Sequence, residues 1–219
     1  MIALRTRLLA EAIGTAGLLA IVVGSGIMAE KLAGGNVAVA LLANTIATGA
    51  GLIALIHSCA DISGAHFNPV VTLIMAMRRE LSVRDAAAYI VVQGVAAIAG
   101  VMLAHGMFEV STVASMHVRT GASQWLSEGV ATFGLIATIL STSRSRPHVT
   151  PFAVAAWIIS AYWFTASTSF ANPAVTLARS FTDTFAGIRP VDVPGFVLAQ
   201  IAGALLASLL FRPQAESSR

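Results

Sequence analysis

Six apolar runs divide this chain: Leu8 to Met28, Val37 to His57, Val83 to His105, Gln124 to Thr142, Val149 to Thr168 and Val193 to Phe211. A helix needs about 20 mostly apolar residues to cross the hydrocarbon of a bilayer, and each run is close to that length. In hydrocarbon every backbone N–H and C=O must be paired within the protein, so such runs are read as helices. Two further apolar pieces, Asn68 to Met77 and Asn172 to Phe181, open with Asn-Pro and extend for about ten residues, too short to cross. The pattern predicts an all-α membrane protein with six transmembrane helices and two half-helices.

Composition agrees. The sequence is 57% hydrophobic and 11% charged, with mean hydropathy +0.82, far from the usage of soluble globular chains. Six spans with short connections leave no room for a large extramembrane domain, so residues 1–219 read as a single membrane domain. The first run is too long for a signal-peptide core and lacks a cleavage site, and is expected to remain as the first span. The formal charge is +3, but the basic residues sit at the ends of apolar segments and form no patch, which speaks against a nucleic-acid partner. Cys59 is the only cysteine, so no intrachain disulfide forms, and it reads as a small helix-packing residue.

Orientation follows from the same basic residues. With alternating spans, Arg5, Arg7, Arg78, Arg79, Arg84, Arg144, Arg146, Arg212 and Arg219 fall on one side, and Lys31, Arg119 and Arg189 on the other. Arg179 lies inside the second half-helix. The positive-inside rule then puts both termini in the cytoplasm of a multi-pass protein of the inner (plasma) membrane. Trp125, Tyr162 and Trp163 fall near outer span ends, as an interfacial aromatic belt would.

The two halves match. Glu11 opens the first span and Glu128 the fourth, while Gln93 lies in the third and Gln200 in the sixth. Ala96 and Gly100 follow Gln93 at the spacing at which Gly203 and Ala207 follow Gln200, and such small pairs let membrane helices approach closely. We read a first repeat over about 1–106 and a second over about 122–219. Three crossings per repeat make the second an inverted copy, which puts a solute path between them near the midplane.

The segments His66-Phe67-Asn68-Pro69-Val70-Val71-Thr72-Leu73 and Phe170-Ala171-Asn172-Pro173-Ala174-Val175-Thr176-Leu177 agree in register at Asn, Pro, Val, Thr and Leu. Asn is a favoured N-cap, and Pro suits the first helical position, so each motif starts a helix. A single Asn-Pro reads as a cap alone. Two in-register copies in an inverted repeat place both helix N-termini at the midplane, where their positive ends repel cations. The Asn amides can donate to a passing oxygen, which makes a neutral solute the expected cargo.

At these residues the chain resembles the major intrinsic protein family, the aquaporins and aquaglyceroporins. The resemblance rests on the paired Asn-Pro-Ala-type motifs, on Ser63-Gly64-Ala65-His66-Phe67-Asn68-Pro69, and on Glu11 with Glu128, and it covers nearly the whole chain. It implies an aquaporin-like fold, a pore in each subunit, a homotetramer in the lipid bilayer, no cofactor, and pore motifs at Asn68, Pro69, Val70 and Asn172, Pro173, Ala174. It gives Glu11 and Glu128 a buried role steadying the pore loops, and His66 a place at the pore entrance. Proton carriage is the other reading of the two glutamates.

Two departures stand out. Val70 replaces the usual Ala of the first motif, and Val175 replaces the Arg that similar channels carry after the second. By position, the remaining residues of the outer constriction are Thr48, Ser160 and Ser169, with no bulky aromatic among them. Losing Arg removes a fixed charge and five donors, and the hydroxyls suit polyhydroxylated neutral solutes, although such hydroxyls can also simply bond back to helix carbonyls. The Asn-Pro-Ala-Val sequence is similar to a bacterial aquaglyceroporin subgroup linked to arsenic resistance, which implies undissociated trivalent arsenite, glycerol and water as solutes. A general water and glycerol facilitator and a proton-coupled secondary transporter are the alternatives. His57 and His66 have no third ligand for a metal, and neither HExxH nor a nucleophile elbow is present, so an enzyme is not expected.

Overall fold

The computed structural model describes residues 2–211, so Arg212 and Arg219, counted above as inside-facing, lie outside the described residues. The apolar runs are helical: α1 Leu4–Leu32, α2 Val37–Ser63, α3 Pro69–Met77, α4 Val83–Phe108, α5 Ala122–Thr142, α6 Thr150–Phe164, α7 Pro173–Ala178 and α8 Val193–Leu210. Local chemistry sets several ends. The Asn36 side chain accepts from Val39 N at the start of α2, and Ser82 from Asp85 N at the start of α4. Gly64 closes α2 in the left-handed region at φ 87°, which costs glycine little.

Among the described residues, five helical segments are long and apolar enough to cross a membrane: α1, α2, α4, α5 and the Pro190–Leu210 stretch that contains α8. α6 has 15 residues. At the helical rise that is about 22 Å, short of the roughly 30 Å of hydrocarbon. The continuous span expected from Val149 to Thr168 is therefore corrected. The helix ends at Thr165, which turns to extended backbone while its Oγ1 donates to Ala161 O at 2.6 Å. The second Asn-Pro piece is also shorter than expected, because Arg179–Phe181 forms a 3-10 turn after α7.

The outward faces carry the large apolar side chains, with Leu9, Ile13, Val91, Val95, Leu198 and Leu206 all exposed, while Glu11, Gln93, Glu128 and Gln200 are fully buried. This polar-inside arrangement suits a multi-span protein in lipid, where helices associate through close packing and hydrogen bonds. α1 packs along α4 and α2, and α5 along α8 and α6. Backbones touch at one glycine in each half. A Cβ on Gly100 would lie 2.3 Å from Ala16 O, and one on Gly203 would lie 2.2 Å from Gly129 O. α3 and α7 meet each other inside this frame, each also packed against α4 or α8.

Candidate functional site

Where α3 and α7 meet, the two Asn-Pro motifs are tied crosswise. Asn68 and Asn172 have extended backbone, with Pro69 and Pro173 in the first helical turn. Asn68 Oδ1 accepts from Val70 N at 3.0 Å, and Asn172 Oδ1 from Ala174 N at 2.9 Å. Asn68 Nδ2 donates to Ala171 O and Asn172 Nδ2 to Phe67 O, both at 2.8 Å. A carboxamide has two N–H donors, so each Asn keeps one to spare at the wall of the cavity it lines.

Two buried carboxylates hold the loops that lead into these motifs. Glu11 Oε1 accepts from Ser63 Oγ and His66 N, and its Oε2 from Phe67 N and Gln93 Nε2. Glu128 Oε1 accepts from Ser167 Oγ and Phe170 N, and its Oε2 from Ala171 N and Gln200 Nε2. Each glutamine also donates to a threonine of the adjoining short helix, Gln93 to Thr72 and Gln200 to Thr176. The clamps restrain a contorted backbone. Ala65 and Phe67 have φ of 50° and 47°, and Ser169 and Ala171 have 50° and 48°. Such values are uncommon outside glycine and persist where the surroundings over-determine them.

A cavity of about 280 Å³ runs past both motifs. Its lining extends from Met75, Glu80, Ser143 and Thr150 through His66, Asn68 and Asn172 to Thr48, Tyr162, Val175 and Arg179. Leu18, Val22, Leu52, Ile56, Leu135, Val154 and Ile158 make much of the wall apolar. A passage with apolar walls and a few spaced donors holds a solute weakly at each point, as conduction requires.

The sequence pattern of the Major intrinsic protein family matches residues 2–166. The chain belongs to the major intrinsic protein family. Among its relatives, Aquaglyceroporin AqpS from Rhizobium meliloti (strain 1021) is 57% identical over 210 residues, covering 95% of this chain and 90% of that one. Aquaporin AqpM from Methanothermobacter marburgensis is 29% identical, covering 97% and 98%. The X-ray structure of the aquaglyceroporin from Plasmodium falciparum shares the fold, with a TM-score of 0.66 at 15% identity over 95% of this chain and 96% of that one. As a major intrinsic protein, this chain is a passive channel for small neutral solutes such as glycerol and water, and not an enzyme.

Of the four positions carried over from the family to the outer constriction, three line the cavity: Thr48, Ser169 and Val175. Ser169 Oγ is buried without a hydrogen-bond partner among the described residues. Ser160 is elsewhere. It is exposed on α6, and its Oγ donates back to Ala156 O at 2.9 Å. Tyr162 takes the place on the cavity wall, 4% exposed, with its OH donating to Thr48 Oγ1 at 3.4 Å. Two residues turn a helix by roughly 200°, so counting from the second motif selected the wrong face of α6. An aromatic side chain, Tyr162, thus lines the cavity, and buried there it is not part of an interfacial belt.

Sequence reasoning also passed over Phe170 and Arg179, both on the cavity wall. The signal for Arg179 was its spacing, since residues four apart share a helix face and Val175 precedes it by four. His66 lines the cavity with Nδ1 3.1 Å from Thr72 Oγ1, whereas His57 packs edge-on against Phe152. No cluster of three or more metal-ligating side chains occurs among the described residues. In the loop between α4 and α5, Arg119 donates to the carbonyls of Gly187, Ser167 and Phe185. Burial there pushes its guanidinium pKa below the ordinary arginine value.

Proposed function

We propose that the chain is an aquaglyceroporin-type pore that passes undissociated trivalent arsenite and glycerol-like polyhydroxylated molecules together with water. The observation that carries this reading is Val175 on the cavity wall directly after Asn172-Pro173-Ala174. Valine fills less space than arginine there and leaves Thr48 and Ser169 hydroxyls to bond a solute with several OH groups. The 57% identity to a protein named an aquaglyceroporin supports the glycerol class.

In this reading α6 with the Pro147–Val149 turn before it is the fifth of six crossings, and α3 and α7 are half-helices whose N-termini meet. Residues of about 1–106 and 122–219 are inverted repeats, supported by the matched Glu11 and Glu128 clamps. Four copies assemble in the inner (plasma) membrane with both termini cytoplasmic, on the strength of the family resemblance and the excess of inside-facing arginines. Against the proton-coupled alternative, all acceptor sites of both buried carboxylates are taken by donors. A proton on either would turn an O–H toward one of those donors.

The test is flux into liposomes holding matched amounts of native protein and Val175→Arg. Arsenite and glycerol entering the native preparation rapidly, and slowed by the arginine more than water is, supports the reading. Equal slowing of all three, or no arsenite entry, overturns it.

A further inference from the structure

Arg179 sits in the turn after α7, 3% exposed, on the wall of the cavity that Val175 also lines. Its Nε donates to Ala186 O, and its guanidinium carbon lies 3.4 Å from the centre of the Phe170 ring. Among the described residues neither Nη1 nor Nη2 has an acceptor, and no carboxylate pairs with the group. Arg119 approaches the same ring at 5.0 Å, but each of its three nitrogens already donates to a carbonyl. Arg179 is therefore a buried cation with free donors and no carboxylate in contact with it, beside a solute path.

We propose that Arg179 is a specificity-determining residue of this pore, supplying one helical turn beyond Val175 the fixed charge and donor fork that repel cations and orient oxygen-rich neutral solutes. The inference rests on the pore reading above. A guanidinium is charged at neutral pH, and in a low-dielectric passage its repulsion of a passing cation is far stronger than in water. Stacking on Phe170 pins it to the wall, so the charge is present while the path beside Val175 stays open. Cation rejection and a wide passage are then set by different residues, Arg179 and Val175.

The experiment measures sodium permeability and glycerol uptake in proteoliposomes of the native chain, Arg179→Gln, Arg179→Lys and Val175→Glu. Arg179→Gln is expected to raise sodium permeability about tenfold while glycerol uptake stays within about threefold of native. Arg179→Lys keeps the charge and stays near native. Val175→Glu sets a carboxylate one turn from an intact Arg179 and raises sodium permeability likewise, which decides the matter if Arg179→Gln fails to fold. Glycerol-conducting Arg179→Gln or Val175→Glu channels that still exclude sodium overturn the role of Arg179 alone. A native chain that passes no glycerol overturns the pore reading and this inference with it.

Discussion

Glu11 in α1 and Glu128 in α5 each accept four hydrogen bonds, from the same kinds of donor in the same order. Each receives a serine hydroxyl, two backbone amides of the loop before an Asn-Pro, and a glutamine side chain. They hold those loops in the left-handed backbone that aims Asn68 at the Ala171 carbonyl and Asn172 at the Phe67 carbonyl. Replacing either by Gln brings an NH₂ group to face donors that already point inward. At least one backbone amide is left unpaired, at about 1–3 kcal/mol each. Glu11→Gln and Glu128→Gln should both lower the thermal unfolding midpoint in detergent, and by similar amounts.

The close helix contacts give a second prediction. Gly100→Ala and Gly203→Ala drive a methyl into Ala16 O and Gly129 O, with overpacking costs of about 1–3 kcal/mol. Gly94, with nothing within 4 Å of its would-be Cβ, is the control. Thermal unfolding of the three alanine variants should show the first two destabilised and Gly94→Ala close to native.

Strain at the second loop is separable from packing. Thr168 has φ 59°, in the left-handed region that its counterpart Gly64 occupies at 87° without a side chain. A β-branched residue there costs about 1–2 kcal/mol, so Thr168→Gly should raise the unfolding midpoint, offset in part by added backbone entropy. Gly64→Ala should lower it, both through φ and because the new Cβ would lie 3.1 Å from His66 Nε2.

The constriction makes a functional prediction. Ser160→Ala should leave glycerol and water flux within about twofold of native, because its hydroxyl serves only the Ala156 carbonyl. Tyr162→Ala removes a cavity-wall ring and should speed longer polyols relative to glycerol. Stopped-flow swelling of proteoliposomes in glycerol and in a five-carbon polyol reads both.

Much of this was legible because repeated residue types mark it. The Asn-Pro pair, Glu11 with Glu128, and Gln93 with Gln200 recur at matched points, and their chemistry leaves few roles open. The length of α6 was hidden, because Thr165 to Thr168 are small, uncharged residues that a span can hold, and the break is fixed by tertiary bonds, Ser167 to Glu128 above all. Ser160 was chosen by counting along a connection whose path only the fold reveals. Arg179 was visible by its spacing from Val175, but its direction depends on Phe170 and the Ala186 carbonyl, which come from separate loops.

The central claim is passive passage of neutral solutes, and glycerol uptake into proteoliposomes over a wide concentration range, with and without an imposed proton gradient, tests it most directly. The account predicts uptake that rises linearly with the glycerol gradient and is unchanged by the proton gradient. Uptake that saturates and requires the proton gradient would contradict it, and would turn Glu11 and Glu128 from loop clamps into transport residues.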